Sequence, residues 1–307
     1  MAVVIPALNA AGTIGTALAS VAGQIHRPTE VVVVDDGSTD ETAQVAQAWS
    51  GELPVTVLRQ HQSGAGLARH RGIGAATSDL VALLDADDAW LPDHLSTMVD
   101  TWAGDPDHMV STTALFWIPG ERVWKGSPDP VPAPADQLQQ ILQANFASGS
   151  ALFHRALYER AGGFRPDFAV GEDWDLWIRM VRAGGIVVRT NHPTFCYRLT
   201  AGSLTSGGRQ YVGAELVLEA AVREANSDEE RLWARAGLGG QGAVQRRARA
   251  GIALVDAFDA ARAGRRSEAR RHARLALAGA RRVAFLGLVV LIWPEGAVRA
   301  RDRFSRR

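Results

Sequence analysis

The chain has 307 residues, of which 47% are apolar and 21% are charged, so it can bury a large core and wholesale disorder is excluded. Its 33 basic and 33 acidic side chains cancel, which argues against a basic nucleic-acid-binding protein. Cys196 is the single cysteine, so a disulfide framework and a cysteine-rich zinc site are excluded as well.

The charge is distributed unevenly along the chain. Residues 265–307 contain twelve arginines and three acids, a net charge of +9, which leaves −9 on residues 1–264. The longest apolar run, residues 283–293, is eleven residues long, whereas a membrane-spanning helix needs about 20. We expect a cytoplasmic protein with no signal peptide and no transmembrane helix. Residues 281–307 then either contact the anionic inner face of the membrane peripherally or form a buried helix with solvated arginines.

The first hundred residues alternate between strand and helix patterns. Apolar and β-branched runs predict strands at residues 3–5, 31–34, 55–58 and 80–84. Apolar residues at helical spacing predict helices over residues 12–23 and 65–76. Ser38 with Glu41 three residues later predicts a capping box that starts a further helix. This alternation predicts a mostly parallel sheet, whose ligands bind beyond the carboxyl ends of its strands.

The pattern changes from about residue 105. Strands are predicted at residues 109–118 and 186–190. Helices are predicted at residues 135–144, 154–161, 173–183 and, as a longer helical region, 209–281. Four alternating prolines over residues 128–134 predict an extended loop. The predicted domains are residues 1–205 and a helical region with a basic, partly apolar tail over residues 206–307.

Acidic residues at strand ends are the strongest chemical feature. Asp35, Asp36 and Asp40 follow the second predicted strand, and Asp85, Asp87 and Asp88 follow the fourth. A capping or turn role is favoured for Asp40. Three carboxylates within four residues repel one another, however, and a turn needs only one. A divalent cation would remove that repulsion, and oxygen ligands favour Mg²⁺ or Mn²⁺.

Five segments together resemble the family 2 glycosyltransferases, which have the GT-A fold. They are Val3–Asn9, Asp35–Asp40, Ala68–Arg69, Leu84–Asp88 and Gly171–Trp177, in that order and at that spacing. The resemblance spans residues 1 to about 205. It implies an α/β fold of the GT-A class, with a Rossmann-like, mostly parallel sheet, a nucleotide-sugar-binding half over residues 1–104 and an acceptor half over residues 105–205. A helical C-terminal extension follows.

The resemblance also implies an activity. This is metal-dependent transfer of a sugar, with inversion, from a nucleotide-diphosphate donor to a hydroxyl of a glycan, a glycolipid or a cell-surface polysaccharide precursor. Mn²⁺ or Mg²⁺ is the implied cofactor, and the acceptor is a glycan or a lipid-linked molecule. The base and sugar of the donor stay open, because uridine, guanosine and thymidine donors all fit such a pocket.

Residue roles follow from the same resemblance. It implies nucleotide-sugar binding by seven residues, namely Pro6, Asn9, Asp36, Gly64, Arg69, Asp85 and Arg198. Asp36 would accept a hydrogen bond from the base, Asp87 would bind the metal, and Glu172 would support the site. Asp173 is the implied general base, and a helix N-terminus there would help to keep it ionised. Trp174 and Trp177 are interpreted as core residues, and Asp175 as structural.

Two positions depart from the family pattern. His70 stands where the family often has Asn after Ala-Arg, and Thr200 stands where it often has His after Tyr-Arg. Two alternatives to the transferase remain: a sugar nucleotidyltransferase, disfavoured by the absence of a Gly-rich first loop, and a non-catalytic scaffold of glycan assembly. A nicotinamide dehydrogenase is weaker, because no Gly-x-Gly-x-x-Gly follows the first strand.

Overall fold

A computed structural model of the chain describes residues 1–118, 122–125, 131–198 and 209–241, together with the single positions 265, 267, 270, 271 and 274. The chain divides into two compact units. One comprises Met1–Ala201 and Leu216–Gly237, and the other Gly202–Glu215 and Leu238–Arg307. The predicted division into 1–205 and 206–307 stays a prediction.

The strands and helices of the described residues are as follows. The strands are β1 (Ala2–Ala7), β2 (Glu30–Asp35), β3 (Val55–Arg59), β4 (Leu80–Leu83), β5 (Ala89–Trp90), β6 (His108–Ser111), β7 (Ala114–Ile118), β8 (Arg122–Lys125), β9 (Ala151–His154), β10 (Ile186–Arg189) and β11 (Phe195–Arg198). The α-helices are α1 (Ile14–Ala22), α2 (Thr42–Gln47), α3 (Ala65–Ala75), α4 (His94–Trp102), α5 (Gln137–Ile141), α6 (Arg155–Arg160), α7 (Glu172–Arg182) and α8 (Arg209–Arg223). Short 3₁₀ turns lie at Ala48–Gly51 and Pro134–Asp136, and residues 228–241 are helical.

The main sheet has the strand order β10-β6-β9-β4-β1-β2-β3. Strands β1 to β4 are parallel where they pair, as the β-branched runs predict, and their carboxyl ends lie at one edge. Both faces are covered. Val3, Ile5 and Val33 pack in one core with Leu18 of α1, whereas Val32 and other residues of the opposite face pack in a second core with α3. The central strands are therefore buried on both faces, and their carboxyl ends are left for polar residues.

The predicted strand at residues 109–118 is wrong as a single element. β6 joins the main sheet and β7 joins a second sheet, with the order β5-β11-β7-β8, so the chain changes sheets at Thr112. The buried Thr112 hydroxyl accepts a hydrogen bond from the Thr190 hydroxyl at 2.9 Å and lies 3.3 Å from that of Thr194. These contacts join residues that are distant in sequence and leave no local pattern. They hold the chain at the point where β6 ends.

Strand β9 is absent from the sequence-based prediction. It lies antiparallel between β4 and β6, so the main sheet is mixed rather than parallel throughout. Its four residues continue directly into α6, and the predicted helix at 154–161 included their last residue. A strand this short gives too few alternations to be recognised from periodicity.

The predicted capping box at Ser38 is also wrong. Helix α2 begins at Thr42, and the Thr42 N–H donates to Asp40 Oδ1 at 3.1 Å. Ser38 lies in the preceding turn, where its N–H donates to Asp35 Oδ1 at 2.8 Å. Asp40, which the interpretation assigned to a turn or cap, therefore accepts the N–H of the first helical residue, and Glu41 rather than Ser38 is the N-cap.

Only the first part of the C-terminal region, for which a helical structure was predicted, lies within the described residues. Helix α8 and helical residues 228–241 agree with the predicted helical region, whereas most of residues 242–307, the predicted membrane-contacting segment 281–307 and Thr200 lie outside the described residues. Within the described part of the chain, no helix combines the length and the apolar character that crossing a bilayer requires. The peripheral membrane contact stays a prediction.

Candidate active site

The loops after β1 and β2 are joined by hydrogen bonds at the carboxyl edge of the sheet. Pro6 is buried within β1, and Asn9 follows the strand with a φ of 49°. The Asn9 N–H donates to Ser38 Oγ at 2.9 Å, and Asn9 Oδ1 accepts from the Thr39 N–H at 2.9 Å. The two predicted pocket residues of the first strand therefore lie beside the acidic turn of the second.

Asp36 is buried and organises the loop that leads into α3. Its Oδ1 accepts from Gln60 Nε2 at 2.7 Å and from the Ser63 N–H at 2.8 Å, and its Oδ2 accepts from the Gly64 N–H at 2.8 Å. Gly64 has a φ of 95°, a conformation that glycine adopts without strain. Two predicted donor-binding residues, Asp36 and Gly64, are thus in direct contact.

Sequence reasoning missed Gln60 and Ser63 in this contact. Gln60 follows β3, and its position beyond the carboxyl end of a parallel strand is a signal that could have identified it. Ser63 contributes a backbone N–H, which any residue type other than proline supplies, so its identity carries no such signal.

The aspartate turn after β4 is bound to two other elements. Asp85 Oδ1 accepts from Arg69 Nη2 of α3 at 2.5 Å. Asp88 is buried, and its Oδ1 accepts from the Arg198 N–H of β11 at 2.8 Å. Arg198 Nε donates to the Asp87 carbonyl at 2.6 Å. The structure therefore brings four predicted residues together, namely Arg69, Asp85, Asp87 and Arg198.

The carboxyl groups of this turn oppose one another's ionisation. Burial, and then the charge of Asp85, raise the pKa of Asp87. Burial with the charges of Asp85 and Asp87 raises the pKa of Asp88 to about 9. A bound cation would relieve this repulsion, so the oxygen-only donor chemistry fits a hard divalent ion. No group of three or more His, Cys, Asp or Glu side chains among the described residues has the arrangement of a metal site, so the metal role of Asp87 stays a prediction.

Asp173 lies in the first turn of α7, as predicted. The helix begins after Gly171, and Asp173 Oδ1 accepts from the Trp174 N–H at 2.7 Å. Burial, and then the charge of Glu172, raise the pKa of Asp173 to about 6, although Arg69 acts in the opposite direction. The help that a helix N-terminus was expected to give in keeping Asp173 ionised stays a prediction, and the burial of the group acts against it. A pKa near 6 leaves the carboxylate ionised at neutral pH and able to accept a proton.

Arg69 connects the aspartate turn to the start of α7. Its side chain is 7% exposed, its Nη2 donates to Asp85, and its Nη1 donates to Glu172 Oε1 at 2.7 Å. Both terminal nitrogens thus bind carboxylates of the protein. Donor binding by Arg69 stays a prediction.

The remaining interpreted positions have structural roles. Trp174 and Trp177 are buried, and Trp174 Nε1 donates to the Ile141 carbonyl at 2.8 Å, as expected of core residues. Asp175 is buried and forms ion pairs with two arginines of its surroundings, Arg165 and Arg179. The Nδ1 of His70 lies 2.7 Å from the Tyr158 hydroxyl, so the departure at this position supports the packing of α6.

These features define a class of protein: an α/β fold with a mostly parallel sheet and acidic turns at the carboxyl edge of its strands. The family described as Glycosyl transferase family 2 matches residues 2–162, more than half of the chain. The chain belongs to glycosyl transferase family 2, a family of transferase enzymes. Membership agrees with the transferase interpretation and not with a dehydrogenase or a sugar nucleotidyltransferase.

Curated relatives support the same assignment. The chain is 34% identical over 131 residues to the uncharacterized glycosyltransferase YibD of Escherichia coli K12, covering 42% of this chain and 38% of that protein. It is 29% identical over 237 residues to the succinoglycan biosynthesis protein ExoU of Rhizobium meliloti, covering 71% and 67%. A PGL/p-HBAD biosynthesis glycosyltransferase of Mycobacterium tuberculosis is 28% identical over 194 residues, covering 62% and 73%. The match thus spans well under half of the E. coli relative.

Solved structures confirm the predicted fold class. TarS 1–349 of S. aureus in complex with UDP-GlcNAc superposes with a TM-score of 0.63 at 16% identity, covering 99% of this chain and 91% of that one. The mannosyltransferase PcManGT of Pyrobaculum calidifontis, in complex with GDP-Man and Mn²⁺, has a TM-score of 0.63 at 22% identity, covering 100% and 87%. At such identities the likeness shows the α/β fold of GT-A type.

Proposed function

We propose that the protein transfers a sugar, with inversion, from a nucleotide-diphosphate donor to a hydroxyl of a glycan, a glycolipid or a cell-surface polysaccharide precursor. The observation that carries the proposal is geometric: the first turn of α7, which contains Asp173, is linked through Arg69 to the aspartate turn after β4. Burial supports it by raising the pKa of Asp173 to about 6. TarS and PcManGT, which share the fold, were solved with UDP-GlcNAc and GDP-Man. The relatives named for succinoglycan biosynthesis and for PGL/p-HBAD biosynthesis support a role in glycan or glycoconjugate synthesis.

The donor site is formed at the carboxyl ends of β1, β2 and β4. Pro6, Asn9, Asp36 and Gly64 lie together at the first two strands and suit the nucleoside. Asp85 follows β4 and faces the ribose or the sugar, and Arg198 lies against the same turn, where its cationic side chain suits the diphosphate. Asp87 would hold Mn²⁺ or Mg²⁺, which when bound neutralises charge on the departing diphosphate.

The chemical step assigns one proton transfer to Asp173. The acceptor hydroxyl oxygen forms a bond to the anomeric carbon while the bond from that carbon to the diphosphate oxygen breaks. The hydroxyl proton passes to the Asp173 carboxylate, and the electron pair of the broken bond leaves with the nucleoside diphosphate. A base with a raised pKa holds this proton more firmly than an ordinary aspartate would, which favours the step.

A donor screen tests the proposal. The purified chain is given a panel of nucleotide sugars with Mn²⁺ or Mg²⁺, beside Asp87→Ala, Asp173→Asn and the control Asp100→Asn, an exposed position of α4. We expect release of nucleotide from one donor, lost with EDTA and with Asp87→Ala and unchanged in the control. Asp173→Asn should bind that donor and lose transfer by at least about 100-fold.

The opposite result would identify a different kind of protein. If the wild-type chain neither binds nor turns over any donor in the presence of metal, the transferase proposal is overturned. A non-catalytic role in glycan assembly would then be favoured.

A further inference from the structure

Arg69 is a buried cation between two carboxylates that are distant in sequence. Its terminal nitrogens bind Asp85 at 2.5 Å and Glu172 at 2.7 Å, and its guanidinium lies 5.8 Å from the centroid of the Phe164 ring. One turn earlier on α3, Gly66 lies so close to Glu172 that an added Cβ would come within 3.0 Å of Glu172 Cγ. The start of α3 is therefore packed tightly against the start of α7.

The geometry of this bridge suits arginine in particular. The guanidinium is a planar fork whose separate nitrogens can bind two carboxylates at once, whereas a lysine ammonium is a compact point charge. One carboxylate belongs to the aspartate turn, and the other belongs to the residue immediately before Asp173. A side chain that fixes Glu172 therefore also fixes the first turn of α7.

We propose that Arg69 is a positioning residue: its guanidinium holds the Asp85 turn and the first turn of α7 in one arrangement, and thereby sets where Asp173 lies. This inference rests on the proposed role of Asp173 as general base. It differs from the donor-binding role that the family resemblance implies for Arg69, because both terminal nitrogens of its guanidinium bind protein carboxylates.

Three charged groups of the surrounding elements act on Asp173. Glu172 of α7 and Asp85 of the turn raise its pKa, whereas Arg69 of α3 lowers it. Removing Arg69 should therefore move the acidic limb of the pH–rate profile to higher pH, and removing the charge of Glu172 should move it to lower pH. If Arg69 and Glu172 merely supported the fold, removing either would lower the rate, and the acidic limb would not move to higher pH in one variant and to lower pH in the other.

The test is the pH dependence of kcat/KM, measured with the donor found in the screen. We expect Arg69→Met to raise the midpoint of the acidic limb by about one pH unit, and Glu172→Gln to lower it by a similar amount. Arg69→Lys should restore the midpoint but not the rate, since it keeps the charge and loses the fork. Arg71→Met is the matched control on the same helix, because Arg71 is exposed and donates to the Arg59 carbonyl. Coincident limbs in the wild type, Arg69→Met and Glu172→Gln would overturn the inference.

A second measurement needs no substrate, and it can be made even if the Arg69→Met variant does not fold. The free energy of unfolding of Glu172→Gln is compared with and without Asp173→Asn between pH 4 and pH 8. The pH above which Asp173→Asn stabilises the protein should be lower in the Glu172→Gln background than in the wild-type background. The same transition pH in both backgrounds would overturn the inference.

The two proposals fail in distinguishable ways. If no donor is turned over by the wild type, the proposed function fails, and the unfolding measurement still decides whether Glu172, one of the two carboxylates that Arg69 binds, controls the carboxyl group of Asp173. If transfer is observed, but the acidic limb of the pH–rate profile and the pH dependence of the unfolding free energy both stay unchanged in the variants, the inference about Arg69 fails and the proposed function stands.

Discussion

Asp173 retains its proton to a higher pH than an ordinary aspartate because burial and the neighbouring Glu172 disfavour its charge more than Arg69 and the Trp174 N–H favour it. Its folded-state pKa, about 6, lies above the ordinary value of 3.8. Above pH 6 the ionised group therefore costs the folded state free energy. As the pH falls from 6 towards 4, the folded state takes up the proton first and gains stability relative to the unfolded chain.

Asp173→Asn should consequently stabilise the protein at pH 8, by about 3 kcal/mol. The stabilisation should decline between pH 6 and pH 4, where the wild-type carboxyl group becomes protonated. Urea unfolding across this range measures the difference, with Asp100→Asn as an exposed control that stays within about 0.5 kcal/mol of the wild type. A stability difference independent of pH would contradict the assigned titration.

The motifs predicted which residues meet at this site better than they predicted how those residues interact. The spacing of acidic residues after strands indicated the Asp36 and Asp85 turns, because parallel strands end at one edge. The Arg69–Glu172 ion pair joins residues 103 positions apart and leaves no local pattern. Burial of Asp173 was equally unreadable, since it depends on which segments cover the first turn of α7.

Helix α3 shows how one element is fitted to the sheet through a glycine. Gly72 faces strands β1 and β2, where an added Cβ would lie 2.5 Å from Val4 Cγ1 and 3.1 Å from Val34 Cγ2. Gly74, two residues later, is exposed, and an added Cβ there would meet nothing within 4 Å. The absence of a side chain at Gly72 therefore sets the distance between α3 and the sheet.

Gly72→Ala and Gly74→Ala should change stability in opposite directions. The first forces the helix away from buried valines and should destabilise the fold by about 1–3 kcal/mol. The second reduces the conformational freedom of the unfolded chain at a helical position and should stabilise it by about 0.5–1 kcal/mol. Thermal or urea unfolding of the pair decides this, and a shift of the same sign in both would show that α3 is not seated as described.

Prediction at the scale of elements succeeded where one local signal was sufficient. The β-branched run of β2, buried on both faces, identifies it without tertiary information. β9 and the break between β6 and β7 depend on partners from elsewhere in the chain. The helix expected after Ser38 begins at Thr42 instead, and its first N–H donates to the carboxylate of Asp40. Local patterns therefore predicted the parallel half of the sheet and missed the part that tertiary contacts determine.

Residues 216–237 belong to the same compact unit as the candidate site. Arg182 of α7 donates through Nε to Glu230 Oε1 at 2.6 Å, and the side chains are 10% and 3% exposed. Arg165 donates to Glu224 Oε1 at 2.8 Å. The helix whose first turn carries Asp173 is thus joined near its other end to the C-terminal helices.

Glu230→Gln should destabilise the protein by about 3 kcal/mol, because it leaves the buried Arg182 only a 4.0 Å contact with the carboxylate of Glu224. Arg231→Ala is the matched control, since Arg231 pairs with the fully exposed Asp228 and such surface pairs contribute at most about 1 kcal/mol. Urea unfolding measures both variants. Equal effects of the two substitutions would mean that the Arg182–Glu230 pair does not anchor residues 216–237.

The basic tail leads to a prediction for the whole chain. Twelve arginines over residues 265–307 should draw the protein onto anionic vesicles at low salt, and added salt should release it. Co-sedimentation with anionic and with neutral vesicles measures this, the neutral vesicles serving as control. Absence of the protein from the anionic pellet at low salt would contradict a membrane contact by residues 281–307.

The position of β9 also constrains the order in which the chain can fold. Strand β4 ends at Leu83, yet its second neighbour in the sheet begins only at Ala151, so the edge of β4 has no partner until some seventy further residues are available. During synthesis the first four strands therefore present an open strand edge, a surface prone to pairing with other chains. Closing it requires contacts between residues that are distant in sequence, so we expect the insertion of β9 to be slower than the pairing of the first four strands.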